Sequence, residues 1–290
     1  MGIIFEQVNY SYGNSHQEGP LGLRDVSLSL TPGRFIAVLG ASGSGKSTLL
    51  QHFNGILLPQ SGSVRILDYQ LEPGDSGKGM SGLRKRVGLV FQFPEQQLFE
   101  DTVEKDICFG PLNFGVPLAE AKAAAQRAVL SLGLDAAILA RNPFQLSGGQ
   151  MRKVAIATVL AADPDVLVLD EPTATLDQAS RQELLELLHA LCKEQGKTII
   201  LVTHRLEEAL PFAEEYVVMH QAEAIFHGSP AELLSRTDLL SAAGMDIPPS
   251  VRFVQKFSAR YGMDYPNGPI DINQLADYIV SIHRAAAVQE

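Results

Sequence analysis

The stretch Gly40-Ala41-Ser42-Gly43-Ser44-Gly45-Lys46-Ser47 decides how the rest of the chain is read. It follows an apolar run at 35–39 of buried-strand character and leads into Thr48-Leu49-Leu50, which opens a helix. Glycines at this spacing let the backbone turn tightly, so that successive N–H groups point inward at a di- or triphosphate. The helix behind adds the positive end of its dipole to the same spot. Lys46 is placed to reach the β- and γ-phosphates and the Ser47 hydroxyl to hold Mg²⁺, with Thr48 completing the phosphate-binding set. A glycine-rich turn before an ordinary helix could share these letters, but strand, loop and helix in this order are the context the motif requires.

The totals narrow the classes around that site. A chain of 290 residues has room for one to three domains and a large core. With 46% hydrophobic and 19% charged residues it has the composition of an ordinary globular protein. A formal charge of −10 argues against a nucleic-acid partner or a basic membrane-surface protein. Cys108 and Cys192 are too far apart in sequence for a zinc ribbon and too few for a disulfide framework, and read as free core thiols. The first residues show no basic region before an apolar core, so no secretory signal is expected. No apolar run approaches the length a bilayer demands, so work at a membrane would go through another subunit.

Outward from the Gly40–Ser47 stretch, 4–12 and 23–30 alternate apolar and polar residues and read as antiparallel edge strands. Short strands are expected at 62–67 and 87–91, with a polar, glycine-rich loop at 74–82 between them. From 94 to 162 the pattern turns helical, with helical periodicity at 119–132 and 151–161, and nothing there reads as a strand. Strand character returns at 165–171, a helix at 178–195, a buried strand at 197–203, and a closing hairpin at 216–219 and 224–227. Alternating strands and helices with wholly apolar strands predict an α/β fold on a parallel sheet. The expected division is a nucleotide-binding α/β domain over 1–238, with its core at 1–93 and 163–238 and a helical subdomain at 94–162. An α-rich extension follows over 239–290, broken at Ile247-Pro248-Pro249 and again at 265–269.

The strand 166–169 ends in Asp170-Glu171. Ligands of open α/β sheets sit at the C-terminal ends of the strands, so these acids are expected beside Lys46. Asp170 would help to hold Mg²⁺, and Glu171 would polarise an attacking water.

Leu146-Ser147-Gly148-Gly149-Gln150, taken with the Gly40–Ser47 loop, the acidic pair, Gln92 and His204, resembles the ATP-binding cassette family over roughly residues 3–234. The resemblance implies a P-loop core with an antiparallel edge sheet and an inserted helical subdomain. It also implies a head-to-tail dimer in which each ATP lies between one chain's P-loop and the other's Ser-Gly-Gly-Gln. Ser147, the N–H groups of Gly148, Gly149 and Gln150, and the start of their helix would form an anion site for the γ-phosphate, and Ser147 would also act as a plain N-cap. By the same resemblance Gln92 contacts Mg²⁺ and water, His204 bonds the γ-phosphate and orients Glu171, and Asp177 communicates across the dimer. Tyr12 would stack on adenine, with Tyr10 as the nearby competitor.

A finer resemblance rests on 91–114, which begins Phe91-Gln92-Phe93-Pro94-Glu95-Gln96-Gln97, and on the tail from Gly244 to Tyr278. Both are similar to the second of the two related ATPase subunits of energy-coupling factor transporters, and cobalt or nickel importers' ATPases share much of the pattern. It implies a peripheral protein on the cytoplasmic face of the cell membrane that powers uptake of a vitamin or transition metal ion. A second ATPase subunit, as heterodimer or homodimer, a transmembrane coupling subunit and a substrate-capture membrane protein would be its partners. Phe93, Phe99, Glu100 and Asp101 would offer the coupling subunit an apolar floor and a negative rim, unless they form only a solvated acidic loop. Another importer ATPase and a soluble, non-transport cassette ATPase are the alternatives.

Overall fold

The computed structural model describes residues 2–13, 19–75, 77, 79–261, 276–277 and 280. Strands β1 (Ile3–Ser11) and β2 (Leu21–Leu30) are followed by β3 (Phe35–Leu39), α1 (Lys46–Phe53), β4 (Ser61–Ile66) and β5 (Tyr69–Leu71). Helix α2 (Ser81–Arg86) leads into β6 (Val87–Val90), and three helices come next: α3 (Val103–Asn113), α4 (Leu118–Ser131) and α5 (Gly148–Leu160). The chain then returns through β7 (Val166–Asp170), α6 (Gln178–Gln195), β8 (Thr198–Thr203), α7 (Leu206–Ala209), β9 (Glu215–His220) and β10 (Glu223–Gly228). Helices α8 (Pro230–Ser235), α9 (Thr237–Ala242) and α10 (Pro249–Tyr261) close the described part.

Six strands form the central sheet in the order β10-β9-β3-β8-β7-β6. From β9 to β6 all neighbours are parallel, and β10 joins as an antiparallel hairpin. Every residue of β3, β6 and β8 is buried, as expected of parallel strands covered on both faces. The pleat sends Phe35, Ala37 and Leu39 into the core shared with α3 to α6, and Ile36 and Val38 into the core shared with α1 and the second sheet. Helix α6 buries Leu184, Leu185, Leu188, Leu191 and Cys192 on one stripe. Asp177 caps it at its start, and Gly196 ends it in the left-handed conformation at φ 67°.

The second sheet has the order β2-β1-β4-β5. The reading of β1 as an edge strand is therefore corrected. It pairs antiparallel with both β2 and β4, and the rim strands are β2 and β5. Alternation within β1 reports one buried face but not its neighbours, which come from segments distant in sequence. The loop expected at 74–82 gives way to helix α2 from Ser81. In the extension, Leu240, Met245 and Val251 are buried in the core. The expected break at 265–269 lies outside the described residues, as do 275 and 278. No helix among the described residues is long and apolar enough to cross a membrane.

Candidate functional site

The strands β3, β8, β7 and β6 are consecutive and parallel, so the segments leaving their C-terminal ends emerge at the same sheet edge. The Gly40–Ser47 loop leaves β3, His204 comes directly after β8, Asp170 ends β7 with Glu171 next, and Gln92 lies just beyond β6. This is where an open α/β sheet places its ligands. These segments line one cleft of about 820 Å³, which Tyr12 and Thr48 also border.

The phosphate loop shows why its glycines are there. Gly40 has φ 152°, and a Cβ on it would sit 2.4 Å from the Met219 carbonyl oxygen and 2.6 Å from Ser44 Oγ. Gly45, the residue before α1, has φ 103°, and its Cβ would lie 2.7 Å from the Gly22 carbonyl oxygen. No L side chain fits either position without moving backbone. Inside the loop, Lys46 Nζ donates to the carbonyl oxygens of Gly40 at 2.8 Å and Ala41 at 2.9 Å. Burial pushes its pKa down, while the charges of Glu171 and Asp170 pull it back up.

Ser47 Oγ donates to Asp170 Oδ2 at 3.0 Å. Burial raises the pKa of Asp170, opposed by the Ser47 hydrogen bond and reinforced by Glu171. Glu171 sits in left-handed backbone at φ 45°, with its amide donating to the Val202 carbonyl at 2.9 Å. Its carboxylate is held from two sides: Gln92 Nε2 donates to Oε2 at 3.3 Å, and His204 Nδ1 lies 2.9 Å from Oε1. The acid next to the phosphate loop is thus fixed by the ends of two neighbouring strands.

Tyr12 borders the cleft and is 48% exposed, with its hydroxyl 2.9 Å from Thr48 Oγ1. Tyr10 packs edge-on against both Tyr12 and the buried His52, and so serves the sheet.

Ser147, Gly148, Gly149 and Gln150 stand apart from the cleft. Ser147 caps α5 through a reciprocal pair: its Oγ accepts from Gln150 N at 3.3 Å, and Gln150 Oε1 accepts from Ser147 N at 3.2 Å. Ser147, Gly149 and Gln150 border a separate hollow of about 250 Å³. Asp177 caps α6, and the hydrogen bonds from Ser180 hold its carboxyl below the usual range.

Two features of the site were not legible in the sequence. Gly244, Met245 and Asp246 of the extension form part of the cleft wall, with Gly244 lying over Ala41. The Phe93 ring lies under the Arg152 guanidinium. A groove of about 470 Å³ is lined by Ile56, Phe91 and Phe114 among others, while Phe99 packs edge-on against Phe109 and is 58% exposed.

The donors around Ser47 suit one kind of metal. Among the described residues no cluster of three or more His, Cys, Asp or Glu could hold an ion. What converges is hard oxygen: the Ser47 hydroxyl, the desolvated Asp170 carboxylate and, across the cleft, the Gln92 carboxamide. Such a set leaves most of the coordination shell to phosphate oxygens and water, which is how Mg²⁺ is held beside nucleotides.

With this geometry the chain takes its place among known proteins. Residues 23–174 match the family model described as ABC transporter, and the chain belongs to that family of ATP-binding cassette proteins. It is 46% identical to the energy-coupling factor transporter ATP-binding protein EcfA2 of Bacillus cereus, over 98% of this chain and 97% of the relative. Its identity to EcfA2 of Geobacillus kaustophilus is also 46%, over 100% of both chains. Among solved structures it is similar to CbiO1 of Clostridium perfringens, part of the ABC transporter complex CbiONQ. The TM-score is 0.72 at 35% identity, over 87% of this chain and 98% of that one. It also resembles the dimeric, post-hydrolysis cassette MJ0796 bound to ADP and phosphate, with TM-score 0.69 at 28% identity over 78% and 98% of the two chains.

Proposed function

We propose that this chain is the ATP-hydrolysing subunit of an energy-coupling factor type importer, driving uptake of a vitamin or transition metal ion through a membrane partner. The observation that carries the reading is the Glu171 carboxylate pinned between Gln92 and His204 at the edge of the phosphate-loop cleft. The end-to-end identity to EcfA2 proteins supports the transporter class.

In this reading the N–H groups of the Gly40–Ser47 loop and the Lys46 ammonium cradle the triphosphate, and Tyr12 packs on the base. A Mg²⁺ ion held by Ser47, Asp170 and Gln92 would neutralise charge developing on the phosphate oxygens. Glu171 orients the attacking water and accepts its proton, with His204 and Gln92 fixing the direction of the carboxylate. The start of α5, from Ser147 to Gln150, lies outside the cleft of its own chain. It serves the nucleotide held by a facing ATPase subunit, which we assign as the second, related subunit of a heterodimer. Residues 1–238 act as the ATPase domain, with 94–162 as its helical subdomain, and the 239–290 extension adds dimer contacts. The assembly sits on the cytoplasmic face of the membrane, where the Ile56–Phe91–Phe114 groove receives the transmembrane coupling subunit. A separate membrane protein captures the solute.

Substitution of Ser147 tests this arrangement. Ser147→Arg is expected to lower ATP turnover of the assembled transporter by at least about 100-fold, the scale of losing a preorganised anion-binding group. ATP affinity of the full chain's own cleft should stay within about threefold, because Ser147 does not border it. Turnover that survives the change would remove the shared-site reading.

A further inference from the structure

Arg152 is a charged group that the proposed chemistry leaves unused. It lies five residues after Ser147 on α5 and is only 2% exposed. Its guanidinium joins three segments. Nη1 donates to the carbonyl oxygen of Pro172, the residue after Glu171, at 2.8 Å. Nη2 reaches Glu95 Oε1 at 3.0 Å, the Ala174 carbonyl at 3.2 Å and Thr175 Oγ1 at 3.4 Å. Nε approaches Glu95 Oε2 to 2.7 Å, within ion-pair range though in a direction poor for a hydrogen bond. Its Cζ stands 5.9 Å from the centre of the Phe93 ring. A planar guanidinium fork can address both flanks at once, which the single ammonium of lysine cannot.

The backbone around this charge is strained. Phe93, Glu171 and Thr175 have φ of 55°, 45° and 68°, and none of them is glycine or asparagine. Such conformations persist where surrounding contacts over-determine them. Phe93 and Thr175 are both touched by Arg152, and Glu171 immediately precedes the Pro172 carbonyl that it holds. Gln92 and Glu171, whose side chains meet at 3.3 Å, therefore emerge from two loops gripped by one side chain. A buried ion pair is weak evidence for stability, since an apolar pair of equal volume often serves better.

We propose that Arg152, paired with Glu95, is a positioning residue: it sets the Gln92–Glu171 geometry and ties the 93–97 turn to the 171–177 loop and to the start of α5. A displacement of the exposed stretch around Phe99 is then passed to the loop carrying Glu171. This rests on the transporter reading above for the origin of that displacement, whereas the mechanical link belongs to the chain itself.

The link is tested by amide hydrogen exchange on the full, nucleotide-free chain carrying Glu95→Gln or Arg152→Lys. Glu95→Gln is expected to speed exchange at least about tenfold at 173–176, a segment that Glu95 reaches through Arg152. Arg152→Lys should loosen both 93–97 and 173–176. In the assembled transporter, each variant should lower kcat by about ten- to 100-fold while the KM for ATP stays within about threefold. Should Glu95→Gln fail to fold, Arg152→Lys carries both measurements. Exchange changes confined to 93–97 in Glu95→Gln, or to one segment in Arg152→Lys, would overturn the proposal. So would an unchanged kcat, or a kcat that falls only in step with KM and thermal stability. An inert wild-type assembly would strike the transporter reading instead, and the exchange data would still decide the link.

Discussion

Replacing Glu171 by Gln is expected to cut ATP turnover by about 1,000-fold, within the range that a positioned general base contributes. Glutamine keeps the size and much of the hydrogen bonding to Gln92 and His204, which now lie 3.3 Å and 2.9 Å from the carboxylate, but it cannot accept a proton from water. ATP binding should survive. Because ATP is then held without being cleaved, the closed assembly that it favours should accumulate, a shift of population driven by contacts made in that state alone. Phosphate release and the fraction of nucleotide retained through gel filtration measure the two effects. Equal turnover by the variant and the parent would remove Glu171 from the role of base.

Lys46→Ala should instead abolish tight binding. The ammonium donates to the carbonyl oxygens of Gly40 and Ala41, and phosphate oxygens would replace those partners. Two charge-assisted hydrogen bonds at about 1.5–3 kcal/mol each correspond to an affinity loss of roughly 100- to 10,000-fold. Titration calorimetry with ATP on the full chain reads the loss directly, and an affinity within about threefold of the parent would contradict the assignment. The pH dependence has a definite sign. Burial lowers the Lys46 pKa against the pull of Glu171 and Asp170, so the charge is lost as pH rises, and earlier than for an exposed lysine. ATP affinity should therefore weaken on the alkaline side, and the alanine variant should lack that dependence.

What the sequence made legible is what local pattern encodes. The Gly40–Ser47 spacing, the apolar run ending in Asp170-Glu171 and the Ser147–Gln150 pair each carry their geometry within a few residues. The structure builds them as a left-handed entry to α1, a strand end and a capping box. Periodicity also located α6 within its observed bounds, because its buried leucines recur on one stripe. Non-local pairing escaped. Nothing within 3–11 marks β1 as the partner of β4, and nothing in the extension marks Gly244 to Asp246 as a wall of the cleft. The contact of Phe93 escaped for the same reason: a lone phenylalanine after a strand shows no sign of an arginine on α5 waiting above its ring. Arg152 itself sits in a helical pattern where a charge ordinarily faces water, yet it is almost fully buried.

No single chain is expected to enclose its nucleotide, because in the proposed assembly Ser147 and the start of α5 serve the neighbour's cleft. The direct test is the structure of the assembled Glu171→Gln transporter with ATP and Mg²⁺. The expected result is Ser147 Oγ within hydrogen-bond distance of a γ-phosphate whose β-phosphate lies in the facing subunit's loop. A nucleotide fully enclosed by one chain, with Ser147 turned away from every phosphate, would contradict it.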